Sequence, residues 1–251
     1  MSGDSLEGLT RVELDHAESR DFALGKGPLR PRDAATLVLL DRKDGELFVL
    51  MGRRHSRHAF MPGKFVFPGG RTDPGDGRVP VAAGLHKAEE AKIASASSRM
   101  TTTRARAIAM SAVRETYEEA GLLIGKRGSF STSYPAWGKF AENDVAPALD
   151  GLRFLARAIT PPGRVRRFDT RFLAAWRSEV ALALPEGPPT DELEELVWIP
   201  LAQAKQLDLP RITGNVLNDI EWRISVDSEL RPGGPVPFYQ MRNNRFLRYI
   251  I

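Results

Sequence analysis

The stretch RETYEEAGL, Arg114 to Leu122, decides how this chain is read. It closes the run TTTRARAIAMSAVRETYEEAG (Thr101 to Gly121), which reads as a helix: threonines cap its start and a glycine stops it. Glu115, Glu118 and Glu119 are spaced i, i+3 and i+4, so at about 100° per residue all three project from one side. Ala109, Val113 and Ala120 project from the other side and can face a core. Three like charges on one patch repel by roughly a few tenths of a kcal/mol per neighbouring pair. A divalent cation removes that conflict, and clustered carboxylates suit Mg²⁺ or Mn²⁺. The plain alternative is a solvated acidic helix face.

Working outward, AATLVLLD (from Ala34) and ELFVLMGR (from Glu46) are apolar runs flanking RKDG, whose Asp-Gly pair signals a hairpin. KFVFPGG, ending at Gly70, reads as a third short strand whose Pro-Gly-Gly ending lets another group approach the backbone. Downstream, LRFLARAIT and TRFLAAWR read as strands joined by a Pro-Pro-Gly loop. EELVWIP reads as a strand, with helices at LAQAKQL and GNVLNDIEWRI. The fold class is α/β, a mixed sheet sandwiched by helices. Residues 1–30 lack periodic pattern and read as a leader or arm; residues 31–251 read as a single domain.

Taken together, these residues resemble the Nudix hydrolase box, G-x5-E-x7-R-E-U-x-E-E-x-G-U with U aliphatic. Gly70 is the opening glycine, and RETYEEAGL matches the second half except that Thr116 fills the first aliphatic slot. The five fixed positions Arg114, Glu115, Glu118, Glu119 and Gly121 match by chance about once in a million windows at residue frequencies near 6%. The resemblance implies a Nudix-type α/β/α sandwich. One departure is clear: 44 positions separate Gly70 from Arg114 where the pattern has 14. About 30 extra residues, near 77–106, therefore sit inside the box, and LHKAEEAKIASAS reads there as a solvated helix without ligand chemistry. The early box glutamate is displaced; Asp73 or Asp76 is its candidate replacement.

The resemblance also implies a metal-dependent diphosphatase. Glu115 and Glu119 are the expected principal ligands of Mg²⁺ or Mn²⁺. Glu118 is a ligand or base, and the Gly69 carbonyl a backbone ligand. Arg114 would orient Glu115 by a charge-assisted hydrogen bond. A later loop often supplies the general base, which points to DELEEL, where Glu192, Glu194 and Glu195 stand as equals.

The segment LMGRRHSRHAFMPGKFVFPGG is similar to the extension found in coenzyme A diphosphatases. Arg54, Gly63 and Phe67 to Gly70 match; His55 and Ala59 depart. With RFDTRFL (Arg167 to Leu173), it looks most like the acyl-CoA diphosphatase subgroup with a long insertion. Arg53, Arg54, Arg57 and Lys64 would supply charge for the 3′-phosphate of coenzyme A. Gly70 and Arg71 complete the expected substrate-binding set. A nucleoside diphosphate sugar, ADP-ribose or a dinucleotide is the alternative substrate, and a non-catalytic nucleotide-binding regulator a further one.

The composition agrees. There is no cysteine, so neither a disulfide framework nor a thiol nucleophile exists. The formal net charge is +4, which favours anionic partners, and a small phosphorylated substrate suffices without nucleic acid. A second basic cluster, GRVRRF (Gly163 to Phe168), has no assigned role. The start lacks an apolar signal segment, the longest apolar run is too short for a membrane, and the ending RYII is not a peroxisomal address. A cytoplasmic enzyme is expected, with the aromatic C-terminal stretch covering its own core or a twin subunit in a homodimer.

Overall fold

The computed structural model describes residues 6–19, 23–25, 27–55, 57, 61–95 and 100–251. In chain order, α1 is Arg11–Ala17, β1 Arg32–Lys43, β2 Glu46–Arg54, β3 Phe65–Val66 and β4 Gly69–Arg71. Then come α2 Lys87–Ser95, α3 Thr102–Ala120, β5 Leu122–Arg127, α4 Gly138–Glu142, β6 Val145–Pro147, β7 Arg153–Ile159 and β8 Phe168–Trp176. The chain closes with β9 Val180–Ala183, β10 Leu193–Pro200, α5 Leu201–Ala204, α6 Arg211–Val226, β11 Pro237–Arg242 and β12 Arg245–Ile250.

A mixed nine-stranded sheet runs β10-β2-β1-β8-β7-β11-β12, with β3 added to β2 and β4 to β1. The pairs β1/β8 and β7/β11 are parallel, and the remaining neighbours antiparallel. A smaller sheet runs β6-β5-β9. The expected hairpin is present: Asp44 and Gly45 have φ of 53° and 80°, the two positive values a type I′ turn needs. The expected third strand is split, because Phe67 and Pro68 carry the chain from β2 over to β1.

The alternation of β1 explains its near-continuous apolar run. Ala35, Leu37 and Leu39 pack with Ile108, Ala109, Ala112 and Val113 of α3. Val38 and Leu40 pack on the other face with Val216, Leu217 and Ile220 of α6. Both faces are covered, so no polar alternation is required.

Two segments are better anchored than their sequence suggests. In the arm, residues 6–18 are docked on the domain. Thr10 and Glu13 form a capping box at α1, Leu6 and Leu14 are buried in the α6-side core, and backbone bonds tie Gly8 and Leu9 to Phe246 in β12. Arg164 pins the arm through Asp15 and Glu18. The residues expected as a solvated insertion are likewise packed. Val79 and Ile93 belong to the α3-side core, and the last of the 77–106 stretch is already α3. Glu89, only 2% exposed, accepts the backbone N–H of Phe154 at 2.9 Å and of Gly233 at 2.9 Å.

Replacing Glu89 with Ala strands two backbone donors, each costing about 1–3 kcal/mol if left unsatisfied. Urea denaturation should show Glu89→Ala clearly destabilised and Glu89→Gln less so. A midpoint equal to that of the unchanged protein would show that the anchor contributes nothing.

Candidate active site

The box helix α3 is set at both ends by its own sequence. Thr101 Oγ1 accepts from the Arg104 N–H at 3.1 Å. Gly121 takes φ 67° at the C-terminus, and a Cβ there would lie 2.7 Å from the Gly187 carbonyl carbon, so glycine alone fits. The Pro-Gly-Gly turn answers to the same rule: a Cβ on Gly70 would lie 2.5 Å from the Glu115 carboxyl group. Gly69 donates its N–H to Glu119 Oε2 at 3.0 Å.

Arg114 is the hub. Its Nε donates to Asp76 Oδ1 at 3.0 Å and its Nη2 to Asp76 Oδ2 at 3.2 Å. Nη1 reaches Glu115 Oε1 at 2.8 Å and Glu118 Oε2 at 2.7 Å, and Nη2 reaches the Arg71 carbonyl at 2.9 Å. The two candidate aspartates differ: Asp76, buried and six positions after Gly70, grips the arginine, whereas Asp73 caps its own turn through the Gly75 N–H.

Burial pushes the Glu115 carboxyl up to about 7; Arg114 opposes the rise, while Glu118 and Glu192 add to it. Burial also raises Glu118, against Arg114. Glu119 is raised well above the usual range by burial, against the Gly69 N–H. Such crowding of desolvated carboxyls marks a place where added positive charge is favourable. The donors are all oxygen, which suits a hard divalent cation. Among the described residues no three acidic or histidine side chains converge into a ready cage. Mg²⁺ does not demand one, since it keeps several waters and binds through one or two carboxylates plus substrate phosphates. The residues therefore fit the ion, with Glu115, Glu118 and Glu119 as the side chains able to hold it.

Glu115 and Glu119 open onto a cavity of about 360 Å³ on the α6 side of the sheet. Gly69, Gly70, Arg54, Arg71 and Glu192 share its wall, with Phe67, Phe168, Phe172 and Phe246 forming apolar surface. Leu6 of the arm lines it as well. Glu115, Glu118, Arg71 and Arg114 also border a second cavity, of about 440 Å³, beside Asp76 and Tyr134.

The three loop carboxylates part company here. Glu192 lines the main cavity, 3.4 Å from Arg54 Nη2. Glu194 and Glu195 lie at a register shift in β10 and turn to Arg53, at 3.7 and 2.7 Å. The basic set also divides. Arg54 and Arg71 line the cavity. Arg53 is engaged by Glu194 and Glu195, Lys64 by Asp208 at 2.6 Å, and Arg57 by the His55 ring. His58 and Ala59 lie outside the described residues.

A Nudix hydrolase from Alicyclobacillus acidocaldarius is similar to the chain, with 26% identity over 75% of this chain and 90% of that one, at a TM-score of 0.55. The chain belongs to the Nudix hydrolase superfamily. Looser likenesses are the Nudix domain of Shewanella oneidensis NrtR, solved with ADP ribose (13% identity, 84% of this chain and 98% of that one, TM-score 0.45), and a C. elegans Ap4A hydrolase (14%, 78% and 98%, 0.41). No family model matches the chain, and no curated protein does. The Nudix box is therefore present with its arginine, its three glutamates and its closing glycine, on a mixed α/β sheet of that superfamily.

The carboxyl crowding has a pH consequence. Glu115 is raised to about 7 in the folded chain, against about 4.3 for an unperturbed glutamate. The folded state binds the extra proton, so its stabilising share is complete below the unfolded value and is lost as pH rises through about 7. Thermal melts in EDTA should show Glu115→Gln melting at or above the unchanged protein at pH 8, with the gap closing toward pH 5. A variant markedly less stable at pH 8 would contradict the crowding.

Proposed function

We propose that this chain is a divalent-metal-dependent diphosphatase acting on coenzyme A or an acyl-CoA, in the cytoplasm, giving 3′,5′-ADP and 4′-phosphopantetheine or its acyl form. The observation that carries the reading is the shared wall of Glu115, Glu119 and Glu192 with an aromatic cavity. That pairing suits a diphosphate joined to a long, partly apolar arm. The fit of Arg54, Gly63 and Phe67 to Gly70 to the coenzyme A extension supports it further.

In this reading Glu115, Glu118 and Glu119, with the Gly69 carbonyl, hold the ion. When bound, Mg²⁺ or Mn²⁺ offsets the charge of the diphosphate and acidifies water at the site. Arg114 fixes the rotamers of Glu115 and Glu118. Glu192 serves as general base: water adds to phosphorus, its proton passes to the Glu192 carboxylate, and the bridging P–O bond breaks with the electron pair leaving on phosphate oxygen. Arg54 and Arg71 supply positive charge to the phosphates.

One observation favours a second reading. Thr36, Thr160, Thr170 and Thr213 also line the cavity, and hydroxyls there suit a sugar beyond the diphosphate, which ADP-ribose, a nucleoside diphosphate sugar and a dinucleotide carry and coenzyme A lacks. A regulator without catalysis is disfavoured by the complete carboxylate set. No helix among the described residues is long and apolar enough to cross a membrane.

Coenzyme A, acyl-CoAs, ADP-ribose, dinucleotides and UDP-sugars, each with Mg²⁺, Mn²⁺ or EDTA, form the test panel. The expected result is metal-dependent release of 3′,5′-ADP from coenzyme A, with Glu119→Gln slower by roughly two or more orders of magnitude. Full activity in EDTA would overturn the metal assignment, and a clear preference for ADP-ribose or a UDP-sugar would move the substrate. Among the loop carboxylates, Glu192→Gln should lose most turnover, while Glu194→Gln and Glu195→Gln stay near the unchanged rate. The reverse pattern would reassign the base.

A further inference from the structure

The cluster GRVRRF sets three arginines, Arg164, Arg166 and Arg167, in the loop between β7 and β8. Two are spent on the fold. Arg164 is 1% exposed and holds the arm through Asp15 and Glu18. Arg167 donates to the carbonyls of Thr160 at 3.0 Å and Leu29 at 2.6 Å.

Arg166 is different. It lines the main cavity, is exposed, and has no hydrogen-bond or ion-pair partner among the described residues. Its position is close to the box turn along the sheet. Phe168 pairs with Arg32 at the start of β1, and Ala34, two residues on, pairs with both Thr170 and Arg71. The other basic residues expected to meet a remote phosphate are committed: Arg53 to Glu194 and Glu195, Lys64 to Asp208, and Arg57 to His55. The one remaining cation of that set in the cavity wall, Arg54, already faces Glu192.

We infer that Arg166 recognises a phosphate monoester that the substrate carries apart from its diphosphate. The inference rests on the main cavity being the substrate site. A guanidinium presents a planar fork that matches two phosphate oxygens, and among the described residues no carboxylate pairs with it. Arg166 is a specificity residue: it makes and breaks no bond, and it moves the 3′-phosphate contact of coenzyme A from the Arg53–His58 stretch to the β7–β8 loop. Arg71, next to Gly70 and shared by both cavities, is left for the diphosphate itself.

The test is calorimetric binding of 3′,5′-ADP and 5′-AMP, without metal, to the unchanged protein, Arg166→Ala and Arg166→Lys. The two probes differ only in the extra phosphate. The expected result is about tenfold tighter binding of 3′,5′-ADP. Arg166→Ala should bring the ratio to near unity with 5′-AMP affinity unchanged, and Arg166→Lys should recover part of the preference through charge without the fork. Equal affinities in the unchanged protein, a preference that survives Arg166→Ala, or no binding of either probe would each overturn the inference. Turnover of the diphosphate panel reports separately. A preference erased by Arg166→Ala without any turnover would sink the diphosphatase reading and leave this one standing. Turnover without the preference would do the opposite.

Discussion

The Arg114 guanidinium is the constraint on which the site depends. It holds Asp76, Glu115, Glu118 and the Arg71 carbonyl at once. Without it, three desolvated glutamates on one helix and an aspartate from a distant turn would repel one another in a poorly solvated place. With it, the turn that carries Asp76 is held against the carboxylate face of α3. A buried arginine held by several carboxylates is costly to disturb, because removing one partner strands a charge. The glycines at 69 and 70 complete the arrangement by leaving room for the Glu115 carboxyl and by donating to Glu119.

The sheet turns this local cluster into a binding site. Gly69 and Gly70 pair with β1 where β2 has diverged from it, and there the carboxylates of α3 meet a cavity on the face that α6 covers. The far wall comes from both ends of the chain, since Leu6 and Phe246 line the same space and are tied by backbone bonds between the arm and β12. The arm is thus part of that cavity's wall.

What could be read from the sequence was whatever is local. The α3 cap, its carboxylate face and its closing glycine lie within one periodic run, and the Asp44–Gly45 turn lies between two apolar runs. What could not be read depends on distant partners. Glu89 looks like a solvated helix charge until Phe154 and Gly233 are seen to donate to it. Leu6 and Leu14 carry no periodic signal, because α1 is only seven residues long and Leu6 lies before it. The small sheet of β5, β6 and β9 escaped notice because its strands are only six, three and four residues long, too short to show a period. The ion pairs of Arg53 were hidden for the same reason: its carboxylate partners lie some 140 positions downstream. DELEEL offered three equivalent glutamates, and only their partners separate them: Glu192 faces Arg54 and the cavity, Glu194 and Glu195 face Arg53.

In the proposed site, Asp76 governs ion binding without being a ligand, by holding Arg114 against Glu115 and Glu118. Mn²⁺ affinity of Asp76→Asn, measured by electron paramagnetic resonance on protein shown to be folded by circular dichroism, tests it most directly. The account predicts a loss of about tenfold or more, in line with the effect of removing a residue that orients ligands. An affinity equal to that of the unchanged protein would contradict it.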